Sequence, residues 1–204
     1  MKAGTDRIHH LSRSLRTFSR ADTVNQVPFK IEEGLESTLT ILQHRLKAQE
    51  HRPAIQVIKH YQDIPPILCY PGQLNQVFMN ILANAIDALD EAAQGRNFAE
   101  LEANPLQINL ITTLNSDTDH VIIQIKDNGL GISEIVQARL FDYLFTTKPV
   151  GKGTGIGLSI SRQIVESKHG GQLTCISALG QGAEFIIKLP ALLAEITPIS
   201  ELSP

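Results

Sequence analysis

A chain of 204 residues can bury one good hydrophobic core with a small appendage, so we expect a single domain preceded by an arm. The net charge of −3 at pH 7 and the absence of a long lysine or arginine run argue against nucleic acid as a partner, because binding a phosphate backbone needs clustered positive charge. No apolar run is long enough to cross a bilayer, and the distant Cys69 and Cys175 lack a metal-like spacing, so they predict reduced core thiols in a cytosolic protein.

The first segment, residues 4–20, predicts a short helix with a narrow apolar seam. A lone helix of this length is marginal in water, so the seam implies a partner helix from a second copy or from a segment outside this chain. His9 and His10 lie on this helix, but no acidic residue follows either of them directly, and we expect them to be solvated or packing histidines. The seam positions are Ile8, Leu11, Leu15 and Phe18.

The next segments predict a break, an amphipathic helix, a half-buried strand and a turn. We expect the helix to lie on a sheet, because its apolar residues recur at three- and four-residue spacing. In chain order, the break covers Asn25 to Pro28, the helix starts at Ile31 and ends before Arg52, the strand covers Ala54 to His60, and the turn covers Asp63 to Pro66.

A second helix, Pro71 to about Gln94, begins at a proline whose missing N–H costs nothing at the first helical position. Polar residues four, four and three apart line one stripe of it, which is either a solvated face or a metal site. Asparagine is an indifferent helix former, so two of them in a helix interior need a reason. An amide oxygen offered to Mg²⁺ is one, because Mg²⁺ takes a few oxygen ligands and shares the phosphates of its nucleotide. The stripe consists of Gln76, Asn80, Asn84 and Asp87.

The remaining elements predict an α+β two-layer sandwich, because helices are gathered with mostly antiparallel strands. We expect the helices to cover one face of the sheet and the end of the chain to form a loose tail. In order, they are a loop or frayed helix end from Glu91 to Pro105, strands 106–114 and 120–126 as a hairpin, a helix from Leu158 to about Lys168, strands 172–177 and 183–189, and a tail beyond Pro190.

Between the hairpin and the helix at Leu158, two glycine-rich pieces indicate a nucleotide site. Asp127 follows an apolar strand and precedes Gly129 and Gly131, so a carboxylate stands beside open backbone, which suits a flat, amine-bearing base. Glycines at alternate positions from 151 to 157 run into a helix, where backbone N–H groups and the helix dipole favour a polyphosphate. Neither the P-loop spacing nor the dinucleotide-binding spacing occurs here, so both of those alternatives are excluded.

In their order along the chain, the motifs resemble the ATP-binding catalytic domain of sensor histidine kinases, a branch of the superfamily shared with gyrase, Hsp90 and MutL. The resemblance implies the Bergerat-type ATP-binding fold over residues 25–190 and the end of the kinases' dimerisation hairpin over residues 1–24. The loose tail expected from the sequence covers residues 191–204. The matching motifs are residues 76–88 as the N box, 127–131 as the G1 box, 141–148 as the F box, 153–158 as the G2 box, and 15–20 as the end of the second hairpin helix.

Carried over residue by residue, the resemblance implies that Asp127 accepts a hydrogen bond from the adenine amino group and that Asn84 ligates Mg²⁺. Asn80 and Lys148 take catalytic roles near the phosphates, and residues 141–157 form a mobile ATP lid. The implied nucleotide-binding set is Asn80, Asn84, Asp87, Asp127, Gly129, Gly131, Thr147, Lys148, Gly153, Gly155, Ile156, Gly157 and Leu158.

Two residues depart from the family pattern. Tyr143 stands where the F box commonly has proline, which leaves the lid's resting conformation open. Ala183 stands where a late Gly-x-Gly-Thr pattern usually has threonine, so a hydroxyl near the adenine pocket or its waters is removed and weaker binding is expected.

The function implied by the resemblance is transfer of the ATP γ-phosphoryl group to a histidine on a dimerisation domain, for relay to a response regulator. ATP and Mg²⁺ would be the cofactors, the parent protein would be a homodimer, and the catalytic domain would be cytoplasmic. In the family the acceptor histidine lies on the first hairpin helix, usually followed by an acidic residue, so we expect it to lie outside this chain and the chain alone to be inactive.

Two other functions stay open from the sequence. A self-sufficient ATPase of the gyrase, Hsp90 or MutL type usually has a glutamate one turn before the metal asparagine as a general base, and Asn80 holds that position here. A nucleotide-gated dimerisation module would use lid closure without chemistry.

Overall fold

The computed structural model describes residues 25–191 except 116, 118 and 149–152. Helices and strands alternate irregularly along this part of the chain. Their bounds are β1 Val27–Phe29, α1 Ile31–Leu46, β2 Gln56–Tyr61, β3 Ile67–Cys69, α2 Pro71–Ala92, α3 Phe98–Ala103, β4 Gln107–Asn115, β5 His120–Asp127, α4 Glu134–Gln137, α5 Gly157–Gln163, β6 Gln172–Ser177 and β7 Ala183–Pro190.

Five strands form one mixed sheet in the order β2-β4-β5-β7-β6. Only the β2–β4 pair in this sheet is parallel, and the other neighbours are antiparallel. β1 and β3 pair separately as a short antiparallel ribbon. The predicted hairpin and the mostly antiparallel sheet are therefore confirmed.

The helices cover one face of the sheet, and the core lies between the two layers. Along β7, Ala183, Phe185, Ile187 and Leu189 are buried, while the intervening residues are more exposed, as the alternating pattern predicts. The facing side of α2 is almost completely buried, and each large apolar side chain there contributes about 1.5–3 kcal/mol by leaving water. Its fully buried members include Leu74, Val77, Phe78, Ile81, Leu82, Ile86 and Leu89. The predicted two-layer sandwich is confirmed.

Several short elements differ from the sequence prediction. β1 occupies part of the predicted break at residues 25–28, and β3 follows the predicted turn, because two three-residue strands are stabilised by pairing with each other rather than by local propensity. α3 lies in the segment 91–105 that was predicted as a loop or frayed helix end. It begins with a capping box in which Asn97 accepts from the Glu100 N–H and the Glu100 carboxylate accepts from the Asn97 N–H. That pattern was present in the sequence and was missed.

The predicted helix from Leu158 to Lys168 is present, but its second half, Ile164–Lys168, is π-helical. The turn ends at Gly170, where the backbone has a φ of 63°. His169 then links this helix to the start of α2: its Nε2 accepts from the Tyr70 N–H at 3.1 Å, and its Nδ1 donates to the Ile164 carbonyl at 2.8 Å. Burial lowers the pKa of His169, so the imidazole is neutral and can do both.

Arg52 is a buried cation that fixes the loop after α1. Its side chain is 1% exposed. The guanidinium donates to Asp90 on α2 at 2.5 Å and to the carbonyl oxygens of Arg45, Lys47 and Pro53. Because each of the three guanidinium nitrogens has an acceptor, the buried charge is compensated, and it anchors the end of α1 to α2.

Other predictions concern the thiols and the ends of the chain. Cys69 is buried, Cys175 is half-buried, and both are free thiols, as predicted. Burial raises the pKa of each thiol to about 12, which keeps both in the neutral form. The predicted seam helix with His9 and His10, and the tail from residue 192, lie outside the described residues. In the part of the chain that the structure describes, no helix has the length and apolarity needed to span a membrane.

Candidate functional site

A cavity of about 580 Å³ lies between α2, the end of β5 and the glycine-rich loops. Of the sequence-predicted nucleotide set, all members except Gly129 and Ile156 line this cavity. Gly129 instead donates its N–H to Asp127, and the Ile156 carbonyl accepts the Ile160 N–H in the first turn of α5. Gln76 belongs to the predicted polar stripe but does not line the cavity. An apolar wall was not predicted from the sequence and includes Ile132, Val136, Leu140, Leu179 and Phe185.

A second cleft of similar volume lies at the C-terminal end of α2. Its carboxylate Asp90 is already engaged: His51 approaches it to 3.8 Å, and Arg52 also binds it. The cavity near Asp127 is the better candidate site, because several loops converge on it and it holds carboxylates with pKa values shifted in opposite directions.

Asp127 forms one end of the cavity. Its side chain is buried, and Oδ1 accepts the N–H of Gly129 at 2.8 Å and of Ala183 at 3.3 Å. Burial raises the pKa of Asp127, and the backbone donors offset part of that rise. Since both loop donors end on Oδ1, Oδ2 is left as an acceptor for a donor group in the cavity.

Two glycines allow the backbone to close around Asp127. Gly182 has a φ of 75°, and a Cβ there would lie 2.0 Å from the Asp127 carbonyl oxygen. Gly131 has a φ of 74°, and a Cβ there would lie 2.0 Å from the carbonyl oxygen of Ala178. A side chain at either position would push the loops apart and open the pocket beside the carboxylate.

A cation-binding cluster forms the other end of the cavity. The Lys148 ammonium donates to Asn84 Oδ1 at 3.0 Å and to Asp87 Oδ2 at 2.5 Å. Arg45, from α1, donates to Asp87 Oδ1 at 2.5 Å. Burial alone would raise the pKa of Asp87, but the hydrogen bonds and charges of Lys148 and Arg45 outweigh it and lower the pKa. The predicted polar stripe thus presents an amide oxygen and a carboxylate that together hold a cation.

The start of α5 closes the cavity beside this cluster. Gly157 and Leu158 line the cavity, and no side chain caps the N-terminus of the helix. Asn80 approaches the same turn, where its Nδ2 donates to the Gly157 carbonyl at 2.9 Å and to Ser161 Oγ at 3.1 Å. Uncapped N–H groups at a helix start favour an anion.

The described parts of the predicted lid are held by backbone packing and by two cation–π contacts. Leu144 has a φ of 62°, and a Cβ on Gly155 would lie 2.4 Å from the Leu144 carbonyl carbon, so the two backbones touch. Arg162 lies 4.1 Å from the ring centroid of Phe141, and Arg139 lies 4.4 Å from that of Phe145. Phe145 also lines the cavity, whereas Tyr143 is 70% exposed.

Comparisons with known proteins identify a family and several related kinases. The family model described as "Histidine kinase-, DNA gyrase B-, and HSP90-like ATPase" matches residues 69–193, more than half of the chain. Sensor kinase CckA of Brucella abortus strain 2308 is 34% identical over 199 residues, which are 96% of this chain and 20% of that protein. Sporulation kinase E of Bacillus subtilis strain 168 is 38% identical over 147 residues, 71% of this chain and 18% of that protein. The chain spans about a fifth of the length of these relatives.

Solved structures show the same fold. The nucleotide-free catalytic domain of histidine kinase ThkA has a TM-score of 0.65 and 23% identity, and the match covers 82% of this chain and 97% of that one. Full-length ShkA in complex with AMPPNP has a TM-score of 0.66 and 24% identity, and the match covers 94% of this chain and 37% of that one. At these identities the likeness establishes the architecture.

The two carboxylates of the cavity should titrate on opposite sides of the ordinary aspartate pKa of about 3.9. Carboxyl ¹³C NMR of the chain should place Asp127 above this value and Asp87 below it. Lys148→Met should raise the pKa of Asp87, because it removes one of the two cations that stabilise the carboxylate. Lys126→Met, at an exposed lysine paired with Glu184, is the matched control and should leave Asp87 unchanged.

The same shifts set the pH dependence of stability. The folded-state pKa of Asp87 is lowered, so its contribution is present above the unfolded-state pKa and is lost as the pH falls through the folded value. Asp127 has the opposite sign, because its raised pKa favours folding as the pH falls. A pKa of Asp87 higher than that of Asp127 would contradict this assignment of the two environments.

Proposed function

Since the chain belongs to the histidine kinase-, DNA gyrase B- and HSP90-like ATPase family, we propose that it is the ATP-binding catalytic domain of a sensor histidine kinase. In this proposal it binds ATP and directs the γ-phosphoryl group to a histidine on a dimerisation domain, from which it passes to a response regulator. One observation carries the proposal: a single cavity has a buried carboxylate acceptor at one end and a cation-binding cluster beside a helix start at the other. A nucleotide has the matching polarity, with a neutral base and a charged phosphate chain.

The base would bind at Asp127. Its free Oδ2 can accept a hydrogen bond from the adenine amino group, and the apolar wall formed by Ile132, Leu140 and Phe185 suits a flat ring. Guanine has a carbonyl at the corresponding position, so two acceptors would face each other and binding would be weaker. Ala183 supplies its N–H to Asp127, and this backbone donor does not depend on the side chain that replaces threonine.

The donor set at the other end fits Mg²⁺. Asn84 Oδ1 and Asp87 Oδ2 already converge on one cation, the Lys148 ammonium, and both are the hard oxygen donors that Mg²⁺ prefers. A bound Mg²⁺ would neutralise phosphate charge and stabilise the charge that develops during transfer. Arg45 would keep Asp87 ionised, because its hydrogen bond uses the other carboxylate oxygen.

Lys148 is proposed to serve the phosphates. Lys148 and a divalent cation cannot share Asn84 and Asp87 closely, because two positive charges would then lie side by side. The flexible side chain of Lys148 can instead reach toward the phosphate chain, whose negative charge offers a new partner. Thr147, Gly153, Gly155 and Leu158 line the same part of the cavity and are proposed as phosphate contacts.

Transfer to histidine is favoured over hydrolysis by the chemistry of Asn80. An amide cannot take a proton from water, whereas the related ATPases usually have a glutamate at that position. A neutral imidazole already carries the lone pair that attacks phosphorus, so transfer to histidine needs no base from this domain. The proposal therefore also includes an acceptor-histidine domain, a response regulator, a homodimeric parent protein and a cytoplasmic location.

Incubation with γ-labelled ATP, with and without a separate acceptor-histidine domain, tests the proposed function. We expect the chain to bind ATP, to release little ADP and to label itself negligibly when alone, and to label the added domain in an acid-labile form. His9→Gln and His10→Gln variants are controls for self-labelling on the predicted hairpin helix. Stoichiometric label on either histidine of the isolated chain, or rapid ADP release without an acceptor, would contradict the proposal.

Asn84→Ala should abolish the Mg²⁺ dependence of nucleotide binding, because the amide oxygen proposed as a metal ligand is removed. Calorimetric titration with ADP, in Mg²⁺ and then in chelator, measures the dependence as a ratio of dissociation constants. Gln76→Ala is the matched control, since Gln76 lies two turns earlier on α2 and outside the cavity lining. If the wild-type chain has equal affinity in Mg²⁺ and in chelator, the metal assignment is wrong.

Asp127→Asn should weaken ATP binding by about 1–3 kcal/mol, the range for leaving a buried polar group without its partner. The preference for ATP over GTP should also fall, because an amide can donate to the guanine carbonyl where a carboxylate cannot. Competition binding with the two nucleotides measures both effects, and Asp63→Asn at an exposed position is the control. Unchanged selectivity in Asp127→Asn would mean that the base binds elsewhere.

A further inference from the structure

A fully buried serine on α5 contacts the predicted catalytic asparagine. Ser161 is 0% exposed. Asn80 Nδ2 donates to Ser161 Oγ at 3.1 Å and to the Gly157 carbonyl at 2.9 Å, and Ser161 Oγ donates to the same carbonyl at 2.8 Å. The Asn80 amide, the Ser161 hydroxyl and the Gly157 carbonyl are thus hydrogen-bonded pairwise, and these bonds join α2 to the first turn of α5.

The chemistry of this set allows one orientation of the Asn80 amide. A carbonyl oxygen can only accept, so the amide atom that faces Gly157 must be the NH₂ group. The hydroxyl hydrogen of Ser161 is already donated to Gly157, so Ser161 also acts as an acceptor toward Asn80. A flipped amide would place its oxygen against the Gly157 carbonyl oxygen, and two acceptors facing each other are unfavourable.

The orientation decides what Asn80 offers to the cavity. Because the nitrogen is used by α5, the oxygen of the same amide is the atom left for a ligand of the cavity that Asn80 lines. Asn84 lies one turn further along α2 and also presents its Oδ1 there. An amide nitrogen in place of the Asn80 oxygen would repel a cation held at this end of the cavity.

We propose that Ser161 is a positioning residue that holds Asn80 with its amide oxygen toward the metal and phosphate end of the cavity. This inference rests on the proposed function and adds Ser161 to the residues that serve nucleotide binding. Ser161 is buried and does not line the cavity, so it would act on a ligand there only through Asn80. The contact also ties the orientation of Asn80 to the position of α5, the helix that follows the lid segment.

Ser161→Ala should reduce the Mg²⁺ enhancement of ADP affinity by about fivefold, the effect expected from one lost hydrogen bond. The enhancement is the dissociation constant in chelator divided by that in Mg²⁺. In an Asn80→Ala background the same substitution should have no effect, because Ser161 acts through Asn80. Ser159→Ala is the matched control, since Ser159 lies on the same turn and donates to the Ile156 carbonyl instead.

A second measurement needs no nucleotide. Hydrogen exchange of the Asn80 side-chain amide, followed by NMR, should be faster in Ser161→Ala than in wild type and unchanged in Ser159→Ala. If Ser161→Ala does not fold, Ser161→Cys keeps the volume with a weaker acceptor and should change both readouts in the same direction. Unchanged amide exchange, or an equal effect in the Asn80→Ala background, would overturn the positioning role. Failure of the wild-type chain to bind adenine nucleotides would instead count against the proposed function, while the exchange measurement would still test Ser161.

Discussion

Burial of one face of α2 determines how the rest of the cavity is arranged. Leu74, Phe78, Ile81 and Leu89 are removed from water by the sheet and the neighbouring helices, so the rotation of α2 about its axis is fixed by hydrophobic packing. The opposite stripe must then face the loops. Asn80, Asn84 and Asp87 reach the cavity for this reason, whereas Gln76, one turn before Asn80, does not line it.

The two ends of the cavity differ in the groups that compensate a buried carboxylate. At Asp127, only backbone N–H groups compensate for burial, and the pKa is raised. At Asp87, two cations compensate, and the pKa is lowered. A neutral donor such as an aromatic amine suits the first environment, and an exchangeable cation with its phosphate suits the second. Arg45 and Arg52 connect the second environment to the end of α1 through Asp87 and Asp90.

Close contacts between backbones hold the loops around the cavity. Gly182 packs against the Asp127 carbonyl, Gly131 packs against Ala178, and Gly155 packs against Leu144. All three glycines have positive φ, so a side chain would be opposed both by the backbone conformation and by the contact. Gly155 thus packs the loops together in addition to the open access to phosphate predicted for the stretch 151–157, whereas Gly131 and Gly182 hold the loops beside Asp127.

The sequence by itself determined the features that depend on local periodicity and on ordered motifs. The helices that start at Ile31 and Pro71, the hairpin, the last two strands, and the combination of Asp127, Asn84 and the glycines were predicted, because apolar spacing and glycine positions can be read within short windows. The first helix ends at Leu46, earlier than the predicted end before Arg52. The capping box at Asn97 was equally local and could have been found. Only the tertiary structure decided the pairing of β1 with β3, the contact of Lys148 with Asp87, the approach of Arg45 from α1, and the orientation of Asn80 by Ser161. These contacts join residues about 40 to 80 positions apart, and which distant side chains meet depends on how the layers pack, which no local pattern encodes.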